Sequence, residues 1–275
     1  VSLSELFTAH LRAPTRRARE LVAALETAGL ANEARAYEAW CDGAREIAAT
    51  GAWFRRRVVI ATRPPQATTG DMWFDICELA LMVHAGRAWL ATRPTAHWQM
   101  RGFLDVSARA PREVQVAPPY HALDPERIVA GDERERCTQL TEGEAHLYAW
   151  WFRKVLPHLF DWQSAVASLP TGVMRELWYP SSKEWTTSKV AGDEGARVFV
   201  TPSTIDWDPD EVVESELPLP EWRRGMIRGE LTRDREIGFR TAVLPEIGLL
   251  ETVSAWWMIP EPVRLESLLD RDAFR

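Results

Sequence analysis

The sequence predicts an α+β chain in which helices come first and strands with long loops follow. Three observations carry that prediction. Residues 1–52 hold helical patterning without a β-type run. Near Trp53 the character changes, and short β-rich runs alternate with Pro-, Thr- and Gly-rich links. Between Leu140 and Ala165, LTEGEAHLYAWWFRKVLPHLFDWQSA reads as a helix, a Leu-Pro stop and a second short helix. Helices and strands segregated along a chain mark the α+β class.

Each element has a local justification. Pro14 and Thr15 open a predicted helix through Leu21, Val22 and Leu25 to Gly29, a helix-ending glycine. A second is expected from Asn32 to Thr50, with Ala36, Trp40 and Ile47 on one face, so that the pair forms a helical hairpin. RRRVVIATRPPQATTGD supplies a short β-type run and a linker. MWFDICELALMV and RAWLATRP, on either side of Gly86, predict a β-hairpin with Cys77 in a strand. Thr95 begins a helix with Trp98 and Phe103 in the core, and residues 107–136 read as loop. Thr141 and Glu144 have capping-box spacing. Leu147, Trp150, Trp151 and Val155 then make an apolar face, and Pro157 ends that helix. Phe160, Trp162 and Ala165 form a second stripe. Residues 171–236 read as long loops with short strands, and IGFRTAVL, Ile237 to Leu244, as the last strand.

Composition bounds the function. A chain of 275 residues suits one large domain or one domain with an appendage. No apolar run approaches the roughly 18 residues of a membrane span, so no membrane is expected. The segment VSLSELFTAHLRAPTRRARE lacks an apolar signal core. Cys41, Cys77 and Cys137 are odd in number and widely spaced, the pattern of reduced thiols in a cytoplasm. A net charge of −7 weighs against nucleic-acid binding. The basic clusters at Arg16-Arg17, Arg55-Arg56-Arg57 and Arg223-Arg224 are expected to be solvated faces or salt-bridge partners. Fourteen tryptophans predict a fold pinned by aromatic wedges, since each buries a large area and needs a partner for its N–H.

The order of motifs resembles the formylglycine-generating enzyme (sulfatase-modifying factor) family, which has a C-type-lectin-like fold. WLATRPTAHWQMRGFL (Trp89 to Leu104) is similar to the family's strand-then-helix segment, and LTEGEAHLYAWWFRKVLPHLFDWQSA to its paired-helix segment. EWTTS (Glu184 to Ser188) resembles W-E-W-T-S-S, RVFVTPS (Arg197 to Ser203) resembles R-V-x-R-G-G-S, and IGFR matches x-G-F-R. The resemblance covers residues 70–244. It implies a small, mainly antiparallel sheet, two flanking helices and long loops. The expected organisation is an N-terminal helical segment (1–52), a formylglycine-generating-enzyme-like domain (53–244) and a C-terminal tail (245–275) docking on the domain or a partner.

The chemistry departs from the family. Its catalytic members use a C-x-x-x-x-C pair that binds copper and a substrate cysteine. Alignment on RVFVTPS puts Asp206 and Glu211 at those two positions, and no cysteine follows Cys137. Carboxylates are hard oxygen donors, whereas Cu(I) selects thiolates, so copper is not expected. Relatives with iron chemistry carry H-x-x-x-H-x-E in a helical domain, and the N-terminal helices here hold only His10. The acidic run Asp206, Asp208, Asp210, Glu211 has oxygen donors of the calcium-binding kind but lacks the glycine turn, and reads as a solvated loop. No catalytic residue and no cofactor is assigned.

The resulting expectation is a non-catalytic recognition or adaptor module of a bacterial cytoplasmic system serving signalling, defence or retroelement-diversified binding. Its ligand is a protein or peptide, within a larger complex in one setting. Trp178, Tyr179, Asp206, Trp207, Asp208, Trp222, Arg223 and Arg224 are the candidate ligand contacts, because aromatic and arginine side chains dominate binding hot spots and long loops on a sheet present them. Trp256, Trp257 and Met258 form an apolar tail cluster suited to a partner. The alternative is an oxygen- or metal-dependent modifying enzyme using Asp206 and Glu211 in place of cysteines. A structural subunit docked by its helices and tail is a third reading.

Overall fold

The computed structural model describes residues 1–12, 16–49, 68–107, 131–152, 154–169, 183–190, 193–201, 223–228 and 236–244. Three helices open the chain: α1 (Leu3–Arg12), α2 (Ala18–Thr27) and α3 (Ala31–Ala49). Ser2 and Glu5 make a reciprocal cap at the start of α1, with Ser2 N–H donating to Glu5 Oε2 (2.9 Å) and Glu5 N–H to Ser2 Oγ (3.2 Å). The α2 helix opens at Ala18 and not at Pro14. It ends as expected at Gly29, whose φ is +77°. The Gly29 N–H donates to Glu26 O and the Leu30 N–H to Leu25 O, the paired closure that satisfies the last carbonyls of a helix.

The buried stripe of α3 is Ala34, Tyr37 and Cys41, with Trp40 only half-buried. The predicted face of Ala36, Trp40 and Ile47 is therefore rotated; Ile47's side chain lies outside the described residues. Tyr37 turns the helix inward by packing edge-on to His10 and stacking on Trp40. In turn, α1 lies against α4 (His97–Ser107), where Trp98 and Phe103 are buried as predicted. Contact there is close because Gly102 has no side chain: a Cβ would sit 2.5 Å from Phe7 Cδ1. One hydrophobic core runs from these helices through Trp98, Phe103, Tyr148 and Trp185 to Phe239.

Two four-stranded sheets follow. The first has the order β1 (Met72–Asp75), β2 (Ala80–Ala85), β3 (Ala88–Ala91), β8 (Ala242–Val243), all antiparallel. The second has the order β6 (Arg223–Arg228), β5 (Asp193–Thr201), β4 (Lys183–Val190), β7 (Ile237–Gly238), antiparallel except for the β4–β7 pair. The chain is thus mixed α/β of the α+β kind. Gly86 makes the expected tight turn between β2 and β3, at φ +60°. MWFDICELALMV does not form one strand. Asp75 Oδ1 accepts from Cys77 N–H (3.0 Å), which turns the chain and places Cys77 in a bend and not in a strand. IGFRTAVL likewise divides between the two sheets, with Arg240 and Thr241 at the crossing.

The paired helices are α5 (Glu142–Trp151) and α6 (Leu159–Ser168). The capping box is present: Glu144 N–H donates to Thr141 Oγ1 (3.1 Å) and Thr141 N–H to Glu144 Oε2 (2.8 Å). The buried face of α5 is Ala145, Tyr148, Ala149 and Trp151, whereas the predicted Trp150 is 44% exposed and Leu147 and Val155 are only partly buried. Tyr148 sets this rotation by wedging between Phe103 and Phe239. The helix stops at Trp151, ahead of Pro157, because Val155 turns extended to exchange backbone bonds with Ala242 (2.9 and 2.7 Å). His158 caps α6, accepting from Phe160 N–H. Trp162 and Ala165 are buried as predicted, and Phe160 is 63% exposed. Among the described residues no helix is long and apolar enough to cross a membrane.

Lys154, just past α5, points into the core. Its ammonium lies 2.5 Å from Asp75 Oδ2, pairs with Glu78 and donates to Thr241 Oγ1 (3.4 Å). Burial works to lower the Lys154 pKa, but the charges of Asp75 and Glu78 outweigh it and hold the group above its ordinary value. Burial, and then the negative charge of Glu78, push the neighbouring Tyr148 phenol well up. Lys154→Ala leaves two buried carboxylates without their cation. It should cost about 3–5 kcal/mol of stability, read as a lower urea midpoint; a cost below about 1 kcal/mol would show the cluster to be dispensable. The Lys154 contribution is full at neutral pH and fades only as pH climbs past the ordinary lysine value of 10.5 toward the higher folded value.

His10 adds an acid-side dependence. Its Nε2–H donates to Ile76 O (2.7 Å) and its Nδ1 accepts from the Tyr37 hydroxyl (3.3 Å). Burial lowers its pKa from 6.5 to about 4, against the opposing pull of Ile76 O and Asp75. The unfolded chain therefore takes up a proton that the folded chain refuses, and stability falls as pH drops from 6.5 to about 4. The loss should reach about 3 kcal/mol, and His10→Gln should flatten that part of a stability-against-pH curve.

Candidate functional site

The second sheet bounds the segments predicted to carry the ligand contacts. Arg224, Val200, Glu184 and Gly238 lie in one row across β6, β5, β4 and β7. One step further along, Arg223 pairs with Thr201 and Lys183 with Ile237. The start of β4, the end of β5 and the start of β6 therefore share one end of the sheet. Two connections open onto that end: residues 170–182, which carry Trp178 and Tyr179, and residues 202–222, which carry Asp206, Trp207, Asp208, Glu211 and Trp222. Those residues, like Trp256, Trp257 and Met258 of the tail, lie outside the described residues. Arg223 and Arg224 are the first two positions of β6.

That end of the sheet is held by buried charge. Arg240 grips Glu184 with both forks, Nε to Oε2 at 2.7 Å and Nη2 to Oε1 at 2.6 Å. Its Nη1 donates to Ala91 O (3.0 Å) and Thr92 O (3.3 Å), at the end of β3. The guanidinium also lies over the Trp162 ring, 4.5 Å from its centroid. One side chain thus joins the second sheet, the first sheet and α6. Planar, bidentate pairing of this kind is available to arginine and not to lysine. Next to Glu184, Trp185 donates its ring N–H to Leu140 O (3.0 Å) and wedges the sheet against the start of α5.

The three cysteines sit on separate elements, all buried and none in a disulfide: Cys41 on α3, Cys77 in the β1–β2 turn, Cys137 ahead of α5. Burial, aided by the Glu144 charge, pushes the Cys137 thiol up to about 12, so it is protonated at neutral pH. Among the described residues no three His, Cys, Asp or Glu side chains are placed to hold a metal. Sequence reasoning missed the two buried ion clusters and a cleft lined by Glu33 and Arg93. Lys154 was visible as one of three lysines (with Lys183 and Lys189) among 33 basic residues, and Glu184 and Arg240 each lie in a quoted motif. No spacing announced that they meet. No protein-family model matches the chain, and no curated protein matches it.

Arg240→Lys should test the anchor. It keeps the charge and loses the fork and the ring contact, and an expected cost of about 2–4 kcal/mol should appear as a lower melting temperature. An unchanged melting temperature would show that charge alone suffices there.

Proposed function

We propose that this chain is a binding module of the formylglycine-generating-enzyme-like, C-type-lectin type, acting as a recognition or adaptor component of a bacterial cytoplasmic system. It takes a protein or peptide ligand on the loops at one end of the second sheet. The observation that carries this reading is the convergence just described. Two connections that flank the β4–β5 hairpin, both carrying the aromatic and charged residues of a binding surface, attach at the same sheet end, where Glu184 is held by Arg240. Loops on a braced scaffold are the usual place for recognition. The likeness of fold is supported by Glu184 and Arg240: the EWTTS and IGFR motifs, read independently, meet in one bidentate pair. Three buried thiols on three elements weigh against cysteine-based copper chemistry.

The test combines binding with metal content. Arrays of immobilised peptides and glycans are probed with the unaltered chain and with Trp207→Ala, Trp222→Ala and Arg223→Ala. Peptide spots should be bound, and each variant should weaken them roughly tenfold or more without lowering the melting temperature. Elemental analysis should find substoichiometric Cu, Fe and Mn, and cysteine peptides should provoke no oxygen uptake. Stoichiometric transition metal together with oxygen uptake would sink this reading in favour of an enzyme built on Asp206 and Glu211. Retention of all spots by the variants would move the binding surface elsewhere.

A further inference from the structure

The buried cluster around Lys154 holds the parts of a covalent reaction. Lys154 comes from the segment after α5, Asp75 from the end of β1 and Glu78 from the turn that follows β1. Each is at most 4% exposed. An amine becomes a nucleophile once it gives up its proton, and burial out of water favours that loss. The two carboxylates keep Lys154 charged most of the time. A small neutral fraction suffices, because an amide once formed does not readily reopen.

The geometry sets the amine against one carboxyl group. Lys154 Nζ lies 2.5 Å from Asp75 Oδ2, so the carboxyl carbon, one bond of about 1.2 Å further on, is at most about 3.7 Å away. That is close to the roughly 3–3.5 Å of reacting atoms poised for attack. Asp75 Oδ2 accepts no hydrogen bond among the described residues, so the contact is short but off the angle that a hydrogen bond takes. The other oxygen is fixed: Oδ1 accepts from Cys77 N–H at 3.0 Å. A backbone donor there stabilises the negative charge that gathers on Oδ1 as the carbon is attacked. Glu78 Oε2 meets Lys154 Nζ and accepts from Thr241 Oγ1 at 2.7 Å. A carboxylate touching the attacking nitrogen can take its proton and pass it on.

We propose that Lys154 and Asp75 join in an intramolecular isopeptide bond, with Glu78 as the proton carrier. One proton first passes from the Lys154 ammonium to Asp75 Oδ2, which leaves a neutral amine and a neutral carboxyl group. Nζ attacks Cγ, and the C=O electron pair moves onto Oδ1 beside the Cys77 N–H. Glu78 takes a proton from Nζ and returns it to Oδ2. The Cγ–Oδ2 bond breaks, Oδ2 departs as water, and Glu78 is again a carboxylate. The cluster carries one negative charge before and after, and no oxidant or cofactor is consumed. The bond closes residues 75–154 into a covalent loop that ties the first sheet to the segment after α5. The stability assigned to the Lys154 ammonium is that of the unlinked cluster. None of these residues belongs to the loop surface, so the two readings stand or fall separately.

The test is intact-mass spectrometry of the purified full chain, followed by tryptic peptide mapping. The chain should weigh less than its sequence by one water. Trypsin should no longer cut after Lys154, and the peptide holding Asp75 should emerge joined to the one holding Lys154. Lys154→Arg keeps the cation and removes the nucleophile, and it should show the full mass. Glu78→Gln, checked for a cooperative melt, should also show the full mass. The mass and the map of the unaltered chain need no variant, so a substitution that fails to fold does not remove the test. A chain at full mass, a water lost without the joined peptide, or a folded Glu78→Gln chain linked as completely as the unaltered one would each overturn the proposal.

Discussion

Two adjacent residues, Arg240 and Thr241, constrain the rest of the structure. The chain leaves the second sheet at Gly238 and joins the first at Ala242. Between them Arg240 reaches Glu184 of the second sheet, and Thr241 donates its hydroxyl to Glu78 (2.7 Å), the partner of Lys154. Two buried ion clusters therefore flank one short crossing. Charges out of water are tolerated only when fully paired, so the sheets, the turn after β1 and the segment after α5 cannot shift independently. The gain is geometric: a buried fork fixes position more tightly than apolar contact, which tolerates sliding.

The N-terminal helices are fastened to this frame by shape more than by charge. Phe7 sits in the space left by Gly102 and meets Trp98 edge-on at 4.9 Å between ring centroids. His10 closes the contact by hydrogen-bonding across to Ile76 O in the turn after β1. Asp75 at the end of β1 and Glu78 in that turn pair with Lys154, so helix packing and the buried charge cluster meet within residues 75–78. The cleft bounded by Glu33 is a consequence. It opens where the α2–α3 link, the turn into β2 and residues 131–139 approach without filling the space between them.

The proposed binding role draws on the same frame. Long connections gain precision when their ends are fixed, because the entropy of the ends has already been lost before a ligand arrives. Here the ends of residues 202–222 are neighbours in a ladder, Thr201 opposite Arg223. The end of residues 170–182 is two positions from the buried Glu184. Fixed ends of this kind would suit the proposed recognition of a partner surface.

By itself the sequence determined the features that depend on near neighbours. The capping box of Thr141 and Glu144, the helix-ending Gly29, the tight turn at Gly86 and the α+β order all follow from local stereochemistry, and all were legible. Burial of Trp98, Phe103, Trp162 and Ala165 was legible too, because their spacing leaves one face. Tertiary structure decided which face each helix turned inward: Tyr148 and not Trp150, Tyr37 and not Ala36. Helical spacing gives the period of a stripe, and only the shape of the neighbouring ring fixes its phase. It also decided that IGFRTAVL would divide between two sheets, and that Lys154, Glu184 and Arg240 would be buried. Pairing across a long stretch of chain leaves no periodic trace, since the partner's position is set by packing and not by sequence distance.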